Sequence, residues 1–158
     1  MQYLIPIIAF LGLPLGKLIA HFTKDELKQG AVYFYAAKKI LLFIVAVILA
    51  LNITLNYELI VPFILGILAA KYLKLVYAWL ALSMVSLQNQ EIVISSLIFI
   101  YGLLYATNNK GFVKELLSFI IPFSLLLIPS YTILSFSLQY YLTPFIMGAL
   151  LFTSIFRD

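Results

Sequence analysis

Cysteine is absent from this chain, histidine and tryptophan occur once each, and only six residues are acidic. Without thiols there are no disulfides, thiolate metal sites or cysteine nucleophiles. A single histidine, His21, excludes bis-histidine haem and the paired-histidine sites of membrane metalloproteases. The acids Asp25, Glu26, Glu58, Glu91, Glu115 and Asp158 fall at the ends of apolar runs and never in their middles. Proton-relay, aspartyl-protease and carboxylate-metal mechanisms therefore lack their parts. Serines such as Ser95 and Ser96 have no histidine partner, and no Gly-x-Ser-x-Gly elbow occurs. This inventory argues against an enzyme and calls for no cofactor or metal.

What is present is apolar. Hydrophobic residues make up 65% of the chain and charged residues 10%, with a mean hydropathy of +1.12. That leaves too little polar surface to clothe a water-soluble globule. Several apolar stretches approach or exceed the roughly 17–25 residues that cross a hydrocarbon core, and they leave no room for a soluble domain. The first run has neither a basic leader nor a small-residue cleavage site after it, and reads as a retained span. The net charge of +4 comes from ten basic residues scattered between apolar segments. No Lys/Arg-rich tract forms, so nucleic acid is not an expected partner, and the basic residues report orientation instead. Expected partners are membrane lipids and either further copies of the chain or a larger membrane complex.

A short phrase occurs twice. Pro62-Phe63-Ile64-Leu65-Gly66-Ile67-Leu68 returns as Pro144-Phe145-Ile146-Met147-Gly148-Ala149-Leu150, identical at five of seven positions. Upstream, Lys38-Lys39-Ile40-Leu41-Leu42-Phe43-Ile44 is echoed by Lys114-Glu115-Leu116-Leu117-Ser118-Phe119-Ile120. The chain reads as one transmembrane domain, 1–158, made of two related halves: repeat A about 1–74, a linker span about 75–90 and repeat B about 91–158.

Topology turns on residues 59–87. No Pro, Gly or Asn follows Gly66 in this stretch, so propensity alone makes it one helix of about 43 Å and gives six spans, a 3+3 inverted repeat. Counting from the phrases says otherwise. Lys74 lies twelve residues after Pro62, and Arg157 thirteen after Pro144, which ends the third span near Lys74. The favoured reading is an all-α helix bundle of seven spans, 3–20, 38–55, 58–72, 74–88, 91–107, 114–135 and 140–156, in a 3+1+3 duplication. It places all ten Lys and Arg residues at cytoplasmic ends, with the N-terminus outside and the C-terminus inside the cell membrane. In topology alone this plan resembles that of SWEET-type sugar carriers, whose Pro-Gln pair is absent here.

Before the second span, Thr23 with Glu26 forms a capping-box pattern that starts a helix at Lys24, with 24–37 expected to lie in the interface or, alternatively, to continue into the span as one bent helix. Matching prolines and glycines in two halves, Pro62 with Gly66 and Pro144 with Gly148, mark a hinge or a transport path. Pro122 and Pro129, seven residues apart, are expected to break the sixth span. Glu58 and Glu91 would give an acidic outer mouth that favours neutral or cationic solutes. Lys71 and Lys74 are orientation signals in the seven-span reading and intramembrane charges in the six-span one. Tyr77, Trp79, Tyr101 and Tyr105 lie deeper and are expected either to pack the core, the commoner use, or to line a path. Asn52-Ile53-Thr54 matches a glycosylation sequon. The expected function is a small-solute carrier or channel-like protein with its path between the repeats; the alternative is a non-catalytic structural or assembly subunit.

Overall fold

The computed structural model describes residues 4–54, 56–73, 75–86, 90–106, 117, 120 and 131–156. Among these, every regular element is helical: α1 (Leu4–Phe22), α2 (Lys24–Leu51), a 3-10 turn at Tyr57–Leu59, α3 (Ile60–Tyr72), α4 (Val76–Ser86), α5 (Glu91–Ala106) and α6 (Tyr131–Phe156). One helical segment, Gln29–Leu51, is long and apolar enough to cross a membrane; Ile7–Phe22, Ile92–Tyr105 and Tyr140–Phe156 are shorter apolar helices.

Local chemistry explains most boundaries. Thr23 does not form the expected capping box. Its hydroxyl and its N–H both donate to the Ile19 carbonyl at 3.0 Å, so it closes α1 instead of opening α2. Nor does α2 divide at residue 37. It runs 28 residues, about 42 Å, because no Pro or Asn lies between Lys24 and Leu51 and the one glycine, Gly30, is tolerated. It ends at Asn52, whose side-chain amide donates to the Ile48 carbonyl at 2.7 Å and whose N–H turns back on Leu49 and Ala50. The Asn52 side chain thus serves as a helix stop.

Between Gly66 and Leu87 the chain does break. α3 stops at Tyr72, Leu73 is extended (φ −94°, ψ 99°), and the Leu75 N–H donates to the Leu73 carbonyl at 2.9 Å before α4 begins. A continuous helix across this stretch, the basis of the six-span alternative, is absent. Conversely, the break expected between 135 and 140 does not occur. α6 is one 26-residue helix, since Leu134–Gln139 offers no Gly, Pro or Asn to end it. Lys74, Pro122 and Pro129 lie outside the described residues, as does most of the expected sixth span.

Packing sets the directions of the helices. Gly12 rests on Phe99 and Gly16 on Leu103, four residues further along both chains, so α1 and α5 run parallel. Tyr77 near the start of α4 meets Tyr101 and Tyr105 near the end of α5, so these two run antiparallel. Asn56, just ahead of α3, bonds Tyr140, and further on the Phe63–Gly66 segment meets Phe145–Gly148, which makes α3 and α6 parallel. Helix α2 packs on both α5 and α6. The ends of α1, α3 and α5 therefore gather with the starts of α2 and α4. That end carries Lys17, Lys38, Lys39 and Lys71, while Glu58 and the start of α5 at Glu91 lie at the other.

The outside is as apolar as the inside. On α1, Leu13 and Ala9 are buried, while Ile7, Ile8, Leu11, Leu15, Leu18 and Ile19 are exposed. On α3, Gly66 and Ala70 are buried and Ile60, Val61, Ile64, Leu65 and Leu68 are exposed. Apolar faces of this extent are costly in water and ordinary in lipid. In lipid, helices associate through close van der Waals packing rather than through expulsion of water, which rewards small residues at the crossings.

Candidate functional site

The two copies of the Pro-Phe-x-x-Gly phrase meet each other. A Cβ built on Gly66 would strike the Phe145 carbonyl, and one on Gly148 would strike the Phe63 carbonyl. Each glycine thus admits the backbone of the other phrase's phenylalanine, a reciprocal contact possible only without a side chain. The phrases occupy different places in their helices, however. Pro62 is the third residue of α3, in the first turn, where the helix makes no i−4 bonds of its own. Pro144 is buried in the interior of α6, where its missing N–H leaves the Tyr140 carbonyl without its usual partner.

Polar ties flank this crossing. The Ser86 and Thr143 hydroxyls share a buried hydrogen bond between α4 and α6. Trp79 packs edge-on against Phe145, ring centroids 5.6 Å apart. Its indole N–H is buried without an acceptor among the described residues. At the outer edge the Asn56 amide donates to the Tyr140 hydroxyl at 2.8 Å. Beside that bond lies a cleft of about 200 Å³, lined by Ala50, Ile53, Asn56, Leu59, Ile60, Phe63, Pro144 and Met147.

A second cluster forms at the basic end. Tyr101 and Tyr105, one turn apart on α5, stack at 5.6 Å, and Tyr77 of α4 meets both edge-on at 5.5 and 5.3 Å. Lys38 of α2 sets its half-buried ammonium 5.8 Å from the Tyr105 ring centroid, a cation–π arrangement. The tyrosines were singled out in the sequence. Lys38 was not: in the sequence it is one of a basic pair before an apolar run, and only the packing of α2 on α5 brings it to the aromatic group.

The remaining expected positions are not brought into either cluster. Glu58 is exposed in the turn before α3, and Glu91 is the first residue of α5. Lys71 is exposed in the last turn of α3, its ammonium 6.0 Å from the Tyr72 ring. Among the described residues no group of three or more His, Cys, Asp or Glu side chains converges on a metal position. Compared with models of protein families, with curated proteins and with solved structures, the chain matches none. What the fold and site define, among the described residues, is an all-helical bundle with one helix long and apolar enough to cross a membrane and with glycine-mediated crossings.

Proposed function

We propose that the chain is a non-enzymatic, seven-span membrane protein that carries a small neutral solute between two related halves, its basic end in the cytoplasm. The observation that carries this reading is the reciprocal contact of the two Pro-Phe-x-x-Gly segments on parallel helices. A 3+1+3 duplication would bring matching positions of its two halves together in that manner. Lys17, Lys38, Lys39 and Lys71 at one end, against Glu58 and Glu91 at the other, support the orientation. The ammonium of Lys38 beside the inner aromatic cluster disfavours cations and narrows the solute to neutral molecules.

Osmotic light scattering on proteoliposomes, over a panel of small polyols, sugars and amides, tests the proposal. Permeation above protein-free vesicles, reduced at least tenfold in Gly148→Leu, is the expected result. No solute crossing faster than in empty vesicles would reject it.

One observation favours a second reading, a structural subunit of a larger membrane complex. The α3/α6 crossing is shut by backbone contact, and the cleft beside it is walled almost wholly by apolar side chains. Absence of flux together with a stoichiometric partner in native mass spectra would select this reading.

A further inference from the structure

We propose that α6 is a two-part lever. Its N-terminal half, Tyr131–Tyr141, pivots ahead of Pro144, and the Asn56–Tyr140 hydrogen bond is the latch that holds it against α3. The pivot is set by Pro144, which removes the N–H that the Tyr140 carbonyl would accept and crowds that same carbonyl with its ring. The fixed side is set by α4. Thr143 is tied to Ser86, and Phe145 is packed on Trp79, so the residues on either side of the proline are anchored. Beyond Phe145 the helix is locked to α3 by the Gly148–Phe63 contact. On the other side, the described tie from Tyr140 to α3 is one exposed hydrogen bond of 2.8 Å. The cleft beside Asn56, Phe63 and Pro144 lies where the two parts would separate. Pro62, the matching residue of the first phrase, sits in a first turn and breaks no helical bond, so the device is one-sided although the phrases are nearly identical. The inference rests on this geometry and not on the carrier reading.

Because the chain has no cysteine, pairs of nitroxide labels can be placed without background. Labels at Tyr57→Cys and Tyr141→Cys, both exposed, report the latch end, and labels at Tyr72→Cys and Ile155→Cys, also exposed, report the fixed end. Loss of one exposed side-chain hydrogen bond shifts a two-state equilibrium by about fivefold. Tyr140→Phe and Asn56→Ala should therefore each enlarge a longer-distance population at the 57/141 pair by that factor. The 72/155 pair should stay unchanged, and adding Pro144→Ala should collapse the longer population. An unchanged 57/141 distribution in Tyr140→Phe and Asn56→Ala would overturn the latch. Spreading at both pairs, or a longer population that survives Pro144→Ala, would overturn the pivot. Tyr140→Phe and Asn56→Ala alter only an exposed bond, so the latch arm reads out even where Pro144→Ala does not fold.

Discussion

At the residue scale, stability is concentrated where glycine lets two backbones touch. Gly66→Ala and Gly148→Ala each place a methyl group against a rigid carbonyl, and each should cost about 1–3 kcal/mol in unfolding titrations in mixed micelles. The two glycines share one crossing, so the double variant should lose less than the sum. Gly30 is the control. A Cβ there meets only the flexible Phe34 ring, and Gly30→Ala should stabilise α2 by up to about 0.5–1 kcal/mol through better helix propensity. The Ser86–Thr143 pair is the polar counterpart: a cycle of Ser86→Ala and Thr143→Val should return a coupling of about 0.6–1.7 kcal/mol, as for other hydrogen bonds between membrane helices. Neither glycine's role is visible locally. The repeated phrase marks Gly66 and Gly148 as special, but that each receives the other phrase's phenylalanine carbonyl depends on the relative placement of helices 82 residues apart.

At the scale of elements, the prolines separate into two kinds. Pro62→Ala should change stability by less than about 0.5 kcal/mol, since a first-turn proline costs its helix no bond. Pro144→Ala should restore a backbone N–H that donates to the Tyr140 carbonyl and slow hydrogen exchange along the middle of α6, read by mass spectrometry of peptides covering 140–148. The helix ends teach a related lesson. The Thr23/Glu26 pattern satisfied a capping rule, yet the threonine hydroxyl turned back to Ile19, because the tight passage from α1 to α2 keeps that carbonyl within reach. The break at Leu73 shows the reverse: every residue from Ile67 to Tyr72 favours continuation, and the helix stops because α4 packs back on α5 and α6. Tertiary contact here overrides local propensity.

For the whole molecule, the basic and acidic ends of the bundle predict its orientation. Cysteines introduced singly at Tyr57 and at Tyr72, both exposed and at opposite ends of α3, should react from opposite sides of the membrane. An impermeant maleimide should label Tyr57→Cys from outside in intact cells, and Tyr72→Cys only after permeabilisation. Labelling of both from one side would reject the proposed topology. The same vesicles used for solute flux separate the carrier reading from the structural one, and the lever of α6 stands or falls apart from either.

Composition determined by itself that this chain is strongly apolar, without cysteine and with a single histidine. Transfer free energy is close to additive along the sequence, and a missing residue type is missing in any fold. The twin phrases were legible for the same reason: a repeated phrase is a property of a stretch of chain. The tertiary structure alone decided which phrase touches which, that Lys38 joins Tyr105, and that Pro144 falls inside a helix while Pro62 sits in a first turn. Between helices in an apolar medium nearly every face is acceptable to solvent. The choice of partner therefore falls to close-range packing and a few hydrogen bonds, which no local pattern encodes.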